Sequence, residues 1–201
     1  MFRKFSLMLV NTLRRIFKYS SSGEYSRRYF AINAFEGALT VWGIILGIHV
    51  LGSRDISQIV SGGVGAILAM AVSGVGSVYI TESAEQERRI REIEEALLTK
   101  IDETEIMKAH KRAVIMSAII NAVSSSLSGL IILAPYIAAV SGIIDGNVAF
   151  ITSMTILFST LFILGVFLGK ISKQRIIVSG LKSAIVGGAV MLILYILNLI
   201  S

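Results

Sequence analysis

Cysteine is absent from all 201 residues, which excludes disulfides, thiolate metal sites and thiol catalysis and leaves the redox compartment open. Any bound metal must therefore rest on oxygen, nitrogen or thioether ligands. Proline occurs once, as Pro135, and histidine twice, as His49 and His110. No nucleophile is grouped with histidine and an acid, and no phosphate-cradling loop occurs, so an enzyme finds no support. Acids are outnumbered 13 to 19 by Lys and Arg, and nine of the 13 fall between Glu82 and Glu105. The remainder of the chain is nearly free of negative charge, which makes Glu36, inside "YFAINAFEGALTVWGIILGIHVL", conspicuous.

What the chain has in abundance is apolar length. Hydrophobic residues make up 54% of it and the mean hydropathy is +0.77, a balance well outside that of an ordinary soluble domain. Five runs, at about 30–51, 56–80, 113–140, 147–169 and 176–198, each reach the roughly 20 residues that cross the hydrocarbon core. An all-α membrane protein with five transmembrane helices follows. The net charge of +6 is explained by flanks of the spans and not by a nucleic-acid partner. Arg3, Lys4, Arg14, Arg15, Lys18, Arg27 and Arg28 precede the first span, and Arg88, Arg89, Arg91, Lys100, Lys108, Lys111 and Arg112 separate the second from the third. Lys170, Lys173 and Arg175 follow the fourth, whereas Arg54 is the one base between the first two spans and none lies between the third and fourth. By the positive-inside rule the N-terminus is cytoplasmic and the C-terminus outside.

Residues 1–26 lack a clean apolar run and a small-residue cleavage site. Phe2, Phe5, Leu9, Leu13, Ile16 and Phe17 among bases describe an amphipathic helix on the inner leaflet, or a basic tail, followed by a hinge at Ser20–Gly23. The first two spans occupy 27–81, a charged cytoplasmic segment 82–112, and the last three spans 113–201. Small residues recur at four-residue steps, at Gly43 and Gly47, Gly62 and Ala66, Gly165 and Gly169, and Gly180, Ala184 and Gly188, a spacing that admits close helix approach. No internal repeat is visible, and five spans do not divide into two inverted halves. Pro135, in "LAPYI", marks a bend or an end of the long third span.

A carboxylate at the centre of a membrane helix costs roughly 2.5 to 3.5 kcal/mol on insertion scales and is seldom there without a partner or a task. At the helical rise Glu36 lies roughly 9 Å inside the first span and Met70 roughly 15 Å from the charged end of the second, depths at which the two can meet. Carboxylate with thioether favours a borderline transition metal over Mg or Ca, although methionine also serves simply as packing. Asn121 can add an amide oxygen or bond across helices, and Ser124, Ser125, Ser126 and Ser128 form a polar band beside it. Lys182 either neutralises Glu36 or snorkels to the interface. His49, at the outer end of the first span, is an interfacial polar residue or part of a proton relay, and Trp42 is an interface or packing residue.

The segment 82–112 reads as a helix extending the second span, with Glu85 and Arg89, and Glu87 and Arg91, at ion-pair spacing. It is either a solvated amphipathic helix or a collector of hard divalent cations on Glu82, Glu85, Glu87, Glu94 and Glu95, with His110 as an added nitrogen.

"NAFEGALTVWGIILGI" and "AMAVSGVGSVYITESAEQER" together resemble the first two helices of the vacuolar iron transporter family. That family has an acid-glycine pair with a following threonine in the first helix and a second helix running into a glutamate-bearing extension. The resemblance extends over about 27–199 and is strongest in the first two helices, and the extension is shorter than the family's full metal-binding domain. It implies Glu36 as the first-helix metal ligand. Gly74 and Val78 stand where the family has methionine and glutamate, so Met70 and Glu82, one turn away in either direction, are the substitutes. It also implies export of Fe(II) or Mn(II) from the cytoplasm in exchange for protons at Glu36, in a homodimer whose first helices face each other. The metal is then a transported substrate, with no permanently bound cofactor, and the partners are lipid, divalent ions and a second copy. The membrane would be the cell membrane of a prokaryote or a vacuolar-type membrane of a eukaryote. A non-transporting adaptor that recruits lipids or partners is the alternative, and it leaves Glu36 without a task.

Overall fold

A computed structural model of the protein describes residues 22–50, 52–53, 55–98 and 105–200. Five helices account for nearly all of them: α1 Ser22–Val50, α2 Ile56–Leu97, α3 Glu105–Val140, α4 Gly146–Ile171 and α5 Ile176–Ile200. All five are long and apolar enough to cross a bilayer, and no strand occurs among the described residues. The chain is an integral, multi-pass membrane protein, because five helices this long and this apolar have no place in water.

The turns between helices at one end are closed by local chemistry. Asp55 caps α2, its Oδ1 accepting from the backbone N–H groups of Ser57 at 2.9 Å and Gln58 at 3.4 Å. Asp145 caps α4 through the N–H of Asn147 at 3.0 Å. Both carboxylates meet the positive end of a helix dipole as well as its free N–H groups. α2 ends at Leu98, which turns into the left-handed region at φ 50° and donates its N–H to the carbonyls of Glu94 and Glu95.

α3 is the central element. It packs extensively on both α1 and α2, which touch each other far less, while α5 packs chiefly on α4. α1 buries Ala31, Ala34, Ala38, Val41, Trp42 and Ile45, a stripe at three- and four-residue steps. Ile132, Leu133 and Tyr136 of α3 and Leu157 and Leu161 of α4 complete the core against it. Trp42 is fully buried and lies 5.5 Å, ring to ring, from Phe150 of α4, so its role is packing and not anchoring at an interface. Small residues make two of the closest crossings. A side chain at Gly37 would run into the backbone of Ser125, and one at Gly165 into Ser179 and Ser183.

Several boundaries differ from those read in the sequence. The amphipathic segment expected over residues 1–18 lies outside the described residues, while Ser22 and Gly23, read as part of a hinge, open α1. α3 starts at Glu105, eight residues before the apolar run at 113, because helix-forming charged residues extend it. Pro135 does not end α3, which continues to Val140. The ring sits late in a helix held on several sides, and membrane helices tolerate proline where neighbours supply the packing. α2 is one unbroken helix of 42 residues, about 63 Å long and roughly twice the hydrocarbon thickness.

Candidate metal-transit cleft

α3 holds α1 and α2 apart and leaves a cleft of about 310 Å³ between them. Asn33 and Glu36 of α1, Ala69, Met70, Ser73, Gly74 and Ser77 of α2, and Asn121 and Ser125 of α3 line it. The local reasons are visible in each helix. Gly37 lets α1 press onto the Ser125 backbone, which sets the preceding Glu36 against the polar part of α3. The Ser128 hydroxyl donates to the Ala34 carbonyl and ties the same two helices one turn further on. Asn121 donates its amide to the Gly74 carbonyl at 3.3 Å, fixing α3 against α2 at a point without a side chain.

The donors left over are oxygen-rich. Asn33 uses its amide N–H on the Tyr29 carbonyl at 2.8 Å, as Asn121 uses its own on Gly74, so both amide oxygens remain acceptors at the cleft. Ser124 and Ser125 turn their hydroxyls back to the Asn121 carbonyl at 2.9 and 3.2 Å, and of that serine band only Ser125 reaches the cleft. Glu36 supplies the one carboxylate and Met70 the one sulfur. Carboxylate, amide oxygens, hydroxyls and a thioether can together strip part of the water shell from a divalent ion without holding it tightly.

Three of the residues singled out in the sequence, Glu36, Met70 and Asn121, are therefore brought together. Glu82 is not among them. It lies five residues beyond Ser77 on α2, roughly 7.5 Å along the axis. Glu85 pairs with Arg89 at 3.1 Å and Arg88 at 3.7 Å, Glu87 with Arg91 at 3.4 Å, and Arg88 with Glu92 at 3.3 Å. These pairs are exposed and each is worth little, yet a metal on Glu85 or Glu87 must displace an arginine. Glu94 is half-buried and Glu95 exposed on the same helix. No group of three or more His, Asp or Glu capable of holding a metal occurs among the described residues, and the His110 side chain lies outside them. Lys182 is exposed on α5 and makes no ion pair with Glu36 among the described residues.

Asn33, Ser73 and Ser77 were not read from the sequence as site residues. The signal existed as spacing, since Asn33 precedes Glu36 by three residues and Ser73 and Ser77 flank Gly74 on the Met70 side. Val78, the position of the missing glutamate, does not line the cleft, whereas Gly74 does.

Glu36 is nevertheless exposed in the single chain. With Ile32, Thr40, Gly43 and Gly47 it forms the open face of α1, and a side chain at either glycine would meet nothing within 4 Å.

Comparison with known proteins identifies the family from a different part of the chain. The chain is 30% identical over 164 residues to the uncharacterized protein MJ0645 of Methanocaldococcus jannaschii, covering 80% of this chain and 82% of that one. No solved structure matches it. A model of the VIT family matches residues 89–198, from the charged end of α2 through α5, so the family is recognised in the half of the chain where the motif resemblance is weaker. By the reach of that match and the length of the shared alignment, the chain belongs to the VIT family.

Proposed function

We propose that the protein moves Fe(II) or Mn(II) out of the cytoplasm through the α1–α2 cleft, with Glu36 as principal ligand. Membership of the VIT family points to a metal-ion transporter, and the observation that carries the finer reading is the convergence of Glu36, Met70 and Asn121 on one polar cleft. A thioether beside a carboxylate selects against strongly hydrated Mg and Ca and toward borderline transition ions. Proton exchange at Glu36 provides the coupling, one carboxylate alternating between a proton and a cation.

The cleft works in a pair of chains. An exposed carboxylate and threonine in a membrane span are costly against lipid, and the open Gly43 and Gly47 face of α1 allows a second α1 to approach closely. Two Glu36 carboxylates then border one path. Glu82, Glu85, Glu87, Glu94 and Glu95 on the charged end of α2 raise the local cation concentration at its entrance. An adaptor role leaves the polar cleft within the spans unexplained.

Proteoliposomes offered Fe(II), Mn(II), Mg(II) and Ca(II) test the reading. The two transition metals should accumulate and the other two should not. No flux of any ion would remove transport, and equal flux of Mg(II) would remove the selective role of the cleft.

A further inference from the structure

A second cleft, of about 190 Å³, lies at the opposite end of α1, where α1 ends, α2 begins, α3 ends and α4 begins. His49, Ile56, Ile59, Tyr136, Asp145, Gly146 and Asn147 line it. Its polar groups have capacity to spare. The His49 ring stacks on Phe150 with centroids 4.5 Å apart and planes 16° from parallel, and neither ring nitrogen has a hydrogen-bond partner among the described residues. Stacking leaves both nitrogens free in the plane of the ring. Asp145 uses Oδ2 on the Asn147 N–H, leaving Oδ1 for another partner. Tyr136 is 2% exposed, lines the cleft, and its hydroxyl likewise has no hydrogen-bond partner among the described residues.

A nearly buried hydroxyl without a partner, beside a free imidazole and half of a carboxylate, marks a space that a polar occupant fills. The cleft is roomy enough for several waters or a partly hydrated ion. Charge decides which. Asp55 and Asp145 cap the two helix N-termini that meet here, while α1 and α3 bring C-terminal ends, so the backbone dipoles oppose one another and the free carboxylate oxygen sets the sign.

We propose that this cleft is a second cation site, taking a divalent transition ion on the His49 imidazole and the Asp145 carboxylate. The Tyr136 hydroxyl orients water in the remaining positions. Imidazole with carboxylate suits borderline divalent ions, and two protein ligands completed by water give weak, exchangeable binding. The site stands on its own side chains and does not depend on Glu36.

Co(II) titration of the purified full-length protein, followed by visible absorption and by stoichiometry, tests it. His49→Gln should remove one Co(II) equivalent per chain from the wild-type total. Asp145→Asn should weaken that site by at least about tenfold while preserving the fold, because asparagine caps a helix as well as aspartate does. Glu36→Gln should remove a different equivalent and leave the His49-dependent one in place. Wild-type stoichiometry and affinity in both His49→Gln and Asp145→Asn would overturn the second site. If instead Glu36→Gln alone left binding unchanged, the transit cleft would fail and the second site would stand.

Discussion

Glu36 and Gly37 are adjacent in sequence and divide the work of the cleft, one supplying charge and the other position. Gly37→Ala places a methyl group against the Ser125 backbone, which cannot yield without parting α1 from α3. It should cost about 1–3 kcal/mol in equilibrium unfolding and reduce transport, whereas Gly43→Ala, facing open space, should leave the unfolding of the single chain unchanged. Lys182 belongs to this scale too. Exposed and without a bond to Glu36, it should tolerate Lys182→Met with a change within about 0.5 kcal/mol, and a collapse of stability in that variant would restore it as the counter-ion. Glu36 was legible because a lone carboxylate in an apolar run stands out, Met70 because the family resemblance points one turn from Gly74 and helical rise puts it within reach of Glu36, and Asn121 because an amide inside a span stands out as well. Asn33, Ser73 and Ser77 were not. Serine and asparagine in membrane spans usually satisfy backbone carbonyls, and which of them faces a cleft depends on helix rotation, which packing sets and periodicity in an all-apolar run does not reveal.

The five spans were readable as elements because apolar length is a strong signal, and the ion pairs of Glu85 with Arg89 and Glu87 with Arg91 because helical spacing alone fixes them. Helix ends were less so. The charged starts of α1 and α3 continue as helix without an apolar pattern to announce them, and Pro135 is absorbed by the packing around α3. The far end of α2 is a solvated, arginine-paired helix in this structure, and its proposed service is to gather ions. Replacing Glu85, Glu87, Glu94 and Glu95 together by glutamine should leave the helical content and unfolding temperature of the spans intact. It should raise the metal concentration needed for half-maximal flux with little change in maximal flux. Flux measured against metal concentration checks this, and an unchanged dependence would reduce the segment to an ordinary solvated helix.

At the scale of the whole molecule, the open face of α1 is the feature that a single chain leaves unresolved in energy, since it offers a carboxylate to lipid. The proposed pairing of two α1 helices would resolve it. The absence of native cysteine makes the test clean. Gly43→Cys should cross-link two copies in native membranes under mild oxidation, while Gly188→Cys, equally open but on α5, should not. The pairing is an expectation from the family resemblance and the Gly43 and Gly47 spacing, whereas the second cleft could not be read from the sequence, because it joins surfaces that periodicity does not relate. His49 and Asp145 are drawn together only by the meeting of four helix ends.

The proposed transport function requires that metal pass Glu36. Mn(II) flux into proteoliposomes reconstituted with equal amounts of wild-type, Glu36→Gln and Glu36→Asp protein measures it directly. Glutamine keeps the size and hydrogen-bonding capacity of the side chain and lowers the cost of inserting it, so the variant should fold and assemble as before. A metal path through the cleft predicts flux at the level of empty vesicles for Glu36→Gln and partial flux for Glu36→Asp. Wild-type flux in a correctly assembled Glu36→Gln protein would contradict it.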